Sequence, residues 1–253
     1  MLTFKEKYFF VAKKKFIYNI KNLYLKKKHA CGRNRGRIVM RHRGGALKKK
    51  FFIIDFFKSY LNCYYYILNF KYDPNRSTLI SLIAYTSGIL SYSIALENTT
   101  IMTKLFIGPD ALPKNGNITF LKKIAINTKL CLLQSNLHNP IKYIRSNGTY
   151  GILSKKSKSG MVIKLPSGIY KIFNIFIFTT IGRIFEFNYL LFRYKKAGYN
   201  RLKGFRPTVR GVAMNPIDHP YGGGEGKKSK KSICMSPWGK LIKGKKTSRI
   251  KKS

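Results

Sequence analysis

Asp218 and His219 are the residues whose types and spacing most suggest chemistry, because they form an adjacent acid–imidazole pair between two prolines. In many hydrolases a carboxylate orients an imidazole that acts as general base. Adjacent side chains seldom face the same reacting atom, however, and no serine, cysteine or carboxylate partner accompanies this pair. The roles that an active site requires are therefore incomplete, and we expect no catalysis by this chain.

Phosphate-loop and metal chemistry are also disfavoured. The run Gly222-Gly223-Gly224-Glu225-Gly226 lacks the Lys-Ser/Thr pair with which a P-loop reaches phosphate and metal. The four cysteines are widely and irregularly spaced, and His29 beside Cys31 has no second ligand pair, so a zinc site is not expected. His42 and His138 stand alone in unrelated contexts. The cysteines are typical of unpaired thiols in a reducing compartment.

The stretch from Arg206 to Gly226 holds three prolines and five glycines. It cannot form a helix interior or a central strand, because each proline fixes φ and removes a backbone donor. Such a composition is typical of a disordered linker. The Asp-His pair and the glycine run favour a different interpretation, namely a preshaped loop threaded into folded RNA, whose glycines allow phosphates to approach closely.

The net charge is +43, from 51 Lys+Arg against 8 Asp+Glu. Self-repulsion of this size implies a polyanionic partner, and nucleic acid is favoured because phosphates supply affinity through counterion release. An anionic membrane is the alternative, but a basic amphipathic helix is not evident. The apolar run 172–192 is interrupted by Arg183 and Glu186 and predicts sheet rather than a span. We therefore expect no membrane partner and no small-molecule substrate.

The elements that must position these residues are predicted to be strands. Short runs rich in β-branched and aromatic residues, bounded by Gly, Asn, Asp or Ser, indicate an all-β protein. The runs are 37–43, 51–57, 64–68, 80–85 and 91–96, then 124–126, 129–133, 150–154, 161–165 and 170–180. Gly108-Pro109 separates the two sets and marks the predicted domain boundary. The aromatic residues are interpreted mainly as core packing.

Basic and glycine-rich blocks supply the predicted nucleic-acid contacts, since guanidinium groups bind phosphates bidentately and stack on bases. The block 32–45 is the densest, and Arg76 stands on a rigid turn at 72–77. The predicted RNA-binding residues are Arg33, Arg35, Arg37, Arg41, His42, Arg43, Lys48, Lys49, Arg76, Arg145, Arg201, Lys203, Arg206, Arg210, Met214, Asn215, Asp218, His219, Tyr221, Gly222, Gly223, Gly224, Gly226, Lys227, Lys228, Trp238, Lys245 and Lys246.

Several blocks identify a family. The stretch 206–226, Ser236-Pro237-Trp238-Gly239 and the run 244–247 resemble ribosomal large-subunit protein two. Further blocks in the same order carry the resemblance from about residue 32 to the end. They are Gly32-Arg33-Asn34, 41–45, 53–55, 72–77, 148–150 and 165–168.

This resemblance implies an OB-fold-like barrel at 32–108, an SH3-like barrel at 109–190, and basic extensions at 1–31 and 191–253. It implies binding to large-subunit ribosomal RNA near the peptidyl-transferase region, contacts with neighbouring ribosomal proteins, and roles in assembly, subunit association and translation. His219 matches a family histidine discussed in connection with peptide-bond formation, and its implied role here is positioning. No cofactor is implied beyond Mg²⁺ or K⁺ held by the RNA.

The chain departs from the family pattern at several positions. Tyr221 stands where the family usually has a second histidine, and Ala46 replaces a glycine. The region 113–145 matches poorly, and the first thirty residues are unrelated. The amino terminus has no secretory or transit-peptide character, and heavy use of Lys, Ile, Asn, Phe and Tyr suggests an AT-biased organellar genome. We expect a mitochondrial ribosome, with a plastid ribosome as the alternative.

Two other functional classes remain open at this point. An RNA-processing enzyme would require activity of the purified protein that His219→Ala abolishes. A generic basic RNA chaperone would bind RNA without preference for a site. A structural ribosomal protein instead predicts co-sedimentation with large-subunit RNA and poor order or solubility of the isolated chain.

Overall fold

The computed structural model describes residues 23–27, 31–58, 60–137, 139–157, 159–186, 196, 198–224 and 233–244. Within these residues the regular secondary structure is almost entirely β-strand, which confirms the all-β prediction. The chain divides into two compact units. The barrel unit comprises Met1–Lys28 and Lys48–Arg193, and the composite unit comprises His29–Leu47 and Tyr194–Ser253.

The barrel unit begins with a short antiparallel pair and continues with a long sheet. The elements of its first half are β1 (Tyr24–Lys27), β4 (Lys49–Phe52), β5 (Cys63–Tyr72), β6 (Leu79–Tyr85), β7 (Leu90–Ile94) and β8 (Lys104–Ile107). The elements of its second half are β9 (Ile118–Phe120), a 3-10 helix (Leu121–Lys123), β10 (Lys129–Cys131), β11 (Leu133–Gln134), β12 (Ile141–Tyr143), β13 (Gly151–Ser157), β14 (Gly160–Lys164), β15 (Tyr170–Phe173) and β16 (Phe178–Ile181).

One sheet joins the two halves, in the order β15-β14-β13-β10-β16-β9-β8-β5-β6-β7 among the described strands. Its strand pairs are antiparallel except for β8 and β9, which meet in parallel at Ile107 and Ile118. The predicted boundary at Gly108-Pro109 falls in the connection between these two strands. The assignment of 32–108 and 109–190 as separate domains stays a prediction.

Strand β6 shows why the apolar pattern of the sequence is continuous there. Ile80 and Leu82 belong to the larger hydrophobic cluster, which reaches into both halves of the sheet. Ile83 and Tyr85 belong to a second cluster that includes residues of β5 and β8. Because successive side chains of a strand point to opposite faces, a strand packed on both faces needs an almost unbroken apolar run.

The composite unit contains little regular structure in its described part. It has the two-stranded hairpin β2 (Arg33–Asn34) and β3 (Arg37–Ile38), the helical turn α1 (Tyr199–Leu202) and a 3-10 helix (Gly211–Ala213). The predicted strand at 37–43 therefore ends at Ile38. The backbone amides of Val39 and Met40 both donate to the Gly32 carbonyl, 2.8 and 2.9 Å away, and this turns the chain back on itself.

Other strand predictions have mixed outcomes. The predicted strand at 124–126 is wrong, because the Ile124 amide closes the 3-10 turn by donating to the Leu121 carbonyl at 3.2 Å. The run 51–57 is strand only to Phe52, and 170–180 divides into β15 and β16. The remaining predicted strands are found with shifted ends, whereas β1, β2, β8, β9 and β12 were not predicted.

A lysine is buried in the core of the barrel unit. Lys58 is 3 % exposed, and its Nζ donates to Ser93 Oγ at 2.9 Å. Asp55 accepts the Lys58 amide at 2.9 Å and the Tyr85 hydroxyl at 2.9 Å. Burial lowers the pKa of Lys58, while the nearby Asp55 carboxylate partly offsets this effect. Burial also raises the pKa of Tyr85.

Candidate nucleic-acid interface

The composite unit is built from chain segments that are distant in sequence and are joined through their backbones. The Gly44 amide donates to the Gly204 carbonyl at 3.0 Å, and the Arg206 amide donates to the His42 carbonyl at 3.1 Å. His42 Nδ1 lies 3.1 Å from the Pro207 carbonyl oxygen. Since a carbonyl oxygen only accepts, Nδ1 carries the proton in this contact. The arginine-rich block 32–45 and residues 198–207 thus form one structure.

Arginine side chains of this unit divide into exposed and stacked groups. Arg33, Arg35 and Arg37 are exposed on the β2–β3 hairpin. Arg43 is half-buried, with its guanidinium carbon 4.0 Å from the centroid of the Phe205 ring. The exposed Arg41 lies 5.1 Å from the Trp238 ring centroid. Exposed guanidinium groups can reach phosphates, whereas a stacked one also orders the protein surface.

Trp238 lies in a hairpin-like turn, which we call the Trp238 hairpin (residues 233–242). The Ser236 amide donates to the Lys240 carbonyl at 2.8 Å, and Met235 and Leu241 form an isolated bridge. The Trp238 side chain is 66 % exposed, although Arg41 stands over its ring. A large aromatic ring that remains exposed is suited to stacking with a nucleobase.

The residues Gly211–Gly223, which we call the His219 turn, are a compact structure closed by their own hydrogen bonds. The Asn215 carbonyl accepts the amides of Asp218 and His219 at 3.0 and 3.3 Å. The Gly223 amide donates to the Met214 carbonyl at 3.0 Å. The turn therefore supplies much of its own support, and its prolines and glycines serve that closure.

His219 is the buried centre of this turn, with only 8 % of the residue exposed. Its Nδ1 accepts the Tyr221 backbone amide at 3.1 Å, so the neutral imidazole carries its proton on Nε2. The ring packs so closely on Gly211 that a β-carbon there would lie 2.7 Å from three ring atoms. Because Nδ1 accepts a backbone hydrogen bond and the ring is buried, the His219 side chain packs inside the turn and helps to hold its two ends together. Asp218, by contrast, is exposed.

Gly222 is required by the turn itself. A β-carbon at this position would lie 2.2 Å from the Asn215 carbonyl oxygen and 2.6 Å from the Met214 carbonyl oxygen. A β-carbon at Gly223 would likewise lie 2.4 Å from Cγ of Pro216. The sequence suggested that these glycines admit phosphates. These distances show instead that a side chain at either position would collide with other atoms of the same turn.

The remaining predicted residues of the composite unit lie mostly on its surface. Arg201 is exposed on α1, and Lys203 is half-buried with its Nζ 5.4 Å from the Tyr199 ring centroid. Met214 and Tyr221 are half-buried. The exposed members are Arg206, Arg210, Asn215 and Gly224. Gly226, Lys227, Lys228, Lys245 and Lys246 lie outside the described residues.

Four predicted residues belong to the barrel unit. Arg76 Nη1 lies 2.5 Å from Oδ2 of Asp73, whose side chain is 0 % exposed. Arg76 therefore neutralises a buried carboxylate, a role that turn chemistry alone did not reveal. Arg145 is exposed, and its guanidinium carbon lies 5.3 Å from the Phe56 ring centroid. Lys48 is exposed and Lys49 is half-buried.

Sequence reasoning missed two features of the charged surface. Phe205 was not singled out, because nothing in the pattern shows that it meets Arg43 across the unit. The second feature was readable: no aspartate or glutamate stands between Asp110 and Glu186. The exposed lysines among the described residues of this acid-free stretch are Lys114, Lys122, Lys123, Lys129, Lys142, Lys155, Lys156, Lys164 and Lys171.

Among the residues that the structure describes, no helix is long and apolar enough to cross a membrane. No cluster of three or more His, Cys, Asp or Glu side chains suited to a metal ion occurs among the same residues.

Two family models match the chain. Residues 20–105 match the RNA-binding N-terminal domain of Ribosomal Proteins L2, and residues 114–239 match the C-terminal domain of the same proteins. The chain belongs to the ribosomal protein L2 family. The two L2 domains are OB-fold-like and SH3-like, as the resemblance implied.

Curated L2 relatives align with this chain over most of their length. The chain is 43% identical to the large ribosomal subunit protein uL2 of Carsonella ruddii over 232 residues, which cover 91% of this chain and 98% of the relative. The uL2 protein of Rickettsia massiliae is 40% identical over 220 residues, 87% of this chain and 81% of the relative. That of Akkermansia muciniphila is 37% identical over 229 residues, 89% of this chain and 82% of the relative.

Proposed function

We propose that this protein is a structural constituent of the large ribosomal subunit that binds large-subunit ribosomal RNA. The composite unit carries the proposal, because it joins an arginine-rich segment to the His219 turn and displays exposed arginines beside an exposed tryptophan. Its L2 family membership and the net charge of +43 support the same partner. The relatives of the chain are named large ribosomal subunit proteins. Neighbouring ribosomal proteins are the expected further partners.

The proposed role is positioning rather than catalysis. His219 is buried and its Nδ1 accepts a backbone amide, so it lacks the free base that an acid–imidazole mechanism requires. We propose that the exposed residues Arg33, Arg35, Arg37 and Trp238 contact RNA directly, and that Arg43 and His219 hold the surface in shape. Contact near the peptidyl-transferase region and support of subunit association belong to the same proposal.

We further propose an organellar ribosome, a mitochondrial one before a plastid one. The residue usage typical of an AT-biased genome supports this location. The curated relatives above are bacterial, which is compatible with a gene carried by an organelle. Sequencing the genomic locus of the gene tests the proposal, and a nuclear locus without an import signal in the full gene would contradict it.

Crosslinking followed by sequencing tests the main proposal. The full chain, kept soluble at elevated salt, is mixed with large-subunit rRNA and with small-subunit rRNA as the matched control. We expect crosslinks confined to a few large-subunit sites near the peptidyl-transferase region. Scattered crosslinks on both RNAs would instead identify a generic RNA chaperone, and RNA cleavage that His219→Ala abolishes would identify an enzyme.

A further inference from the structure

Tyr221 is bonded at both of its ends. Its backbone amide donates to His219 Nδ1 at 3.1 Å, and its ring centroid lies 5.1 Å from that of the histidine. At the other end, the Tyr221 hydroxyl donates to the Ile233 carbonyl and accepts the Met235 amide, whose nitrogen is 2.6 Å away. One side chain thus connects the His219 turn with the start of the Trp238 hairpin.

We propose that Tyr221 is a positioning residue that couples the His219 turn to the Trp238 hairpin, so that both meet the RNA as one preformed surface. This inference rests on the proposed function. The hydroxyl holds the backbone segment that leads to Trp238, and the Arg41 guanidinium lies over the Trp238 ring. A surface that is ordered before binding loses less conformational freedom when the RNA arrives.

The chemistry of the phenol explains why tyrosine suits this position. A phenolic oxygen is both donor and acceptor, so one atom satisfies a carbonyl and an amide of the same backbone segment. The histidine usual in the family has a shorter side chain, and each of its ring nitrogens is either a donor or an acceptor in the neutral form. It cannot make both bonds from one atom.

A double-mutant cycle on the full chain tests the coupling. Tyr221→Phe removes only the hydroxyl and keeps the ring beside His219, and Trp238→Ala removes the exposed ring that the tie positions. The matched control is Tyr170→Phe, because Tyr170 is 57 % exposed on the edge strand β15 of the barrel unit. Affinity for large-subunit rRNA is measured for all variants at one salt concentration.

We expect Tyr221→Phe to weaken the binding of large-subunit rRNA about five- to tenfold, because two hydrogen bonds that order the surface are lost. In the Trp238→Ala background the same change should have almost no effect, since the group that it positions is gone. Tyr170→Phe should bind like the unaltered chain. Effects of Tyr221→Phe and Trp238→Ala that simply multiply would overturn the proposal.

Hydrogen exchange of the RNA-free protein separates this inference from the proposed function. The Met235 amide should exchange about tenfold faster in Tyr221→Phe than in the unaltered chain, because its acceptor is removed. Unchanged exchange would show that the tie does not exist, whatever the RNA result. A further outcome is that exchange rises in Tyr221→Phe while the unaltered chain shows no preference for large-subunit rRNA. In that case the hydrogen bond between Tyr221 and Met235 exists, but both the proposed function and the role of this bond in RNA binding are refuted.

Discussion

Replacing Gly222 with alanine tests whether the glycines of the His219 turn serve the protein or admit phosphates. The added β-carbon would lie 2.2 Å from the Asn215 carbonyl oxygen, whereas such contacts essentially never fall below 3.0 Å. The backbone must therefore move by about 0.8 Å or more. The two bonds at risk are from the Gly222 amide to the His219 carbonyl (2.8 Å) and from the Gly223 amide to the Met214 carbonyl (3.0 Å).

The magnitude follows from overpacking. Forcing extra volume into a tightly packed site typically costs about 1–3 kcal/mol, and the contacting atoms belong to the backbone and cannot rotate away. Local opening of the turn should become about 5- to 150-fold more frequent, since 1.4 kcal/mol corresponds to a factor of ten. Hydrogen exchange of the Gly222 and Gly223 amides in the RNA-free protein measures this directly.

Gly198→Ala is the matched control, because a β-carbon at Gly198 meets nothing within 4 Å. We expect it to leave exchange and RNA affinity unchanged, while Gly222→Ala raises exchange and weakens RNA binding together. If Gly222→Ala weakens RNA binding but leaves exchange in the free protein unchanged, the glycine serves phosphate approach and our reasoning about the turn is refuted.

Three further predictions concern charge. Arg76→Met should lower the free energy of unfolding of the full chain by about 1–3 kcal/mol in urea titrations, because it leaves the buried Asp73 carboxylate without its cation, while Arg145→Met should have little effect. Equal effects of these two changes would contradict the structural role of Arg76. Because burial lowers the pKa of Lys58 from its ordinary 10.5, the unfolded state binds more protons between the two values. The free energy of unfolding should therefore rise as the pH increases from below the lowered pKa of Lys58 toward 10.5, and Lys58→Met should flatten that rise; an unchanged slope would count against the lowered pKa. Arg35→Ala should reduce the slope of log affinity against log salt concentration by about one, and an unchanged slope would place Arg35 away from phosphates.

Much of the architecture was predictable because strand formation leaves a local pattern. The runs at 64–68, 80–85 and 161–165 are found in β5, β6 and β14, since β-branched and aromatic residues favour a pleated, packed surface. The prediction failed at 124–126, where a 3-10 turn competes for the backbone amide of Ile124. Such local competition depends on where the neighbouring segments lie, which a window of sequence does not contain.

The sequence by itself determined the all-β class, the need for a polyanion and the motifs that mark the L2 family, because charge, composition and short motifs are local properties. The tertiary structure decided which residues act together. It joined the block 32–45 to residues 198–207, gave Arg76 a buried carboxylate, enclosed His219 against Gly211, and connected Tyr221 to Met235. Some of these relations join residues far apart in the chain, which only folding brings together. Others join near neighbours, such as Arg76 and Asp73, and depend on burial that only the folded chain provides.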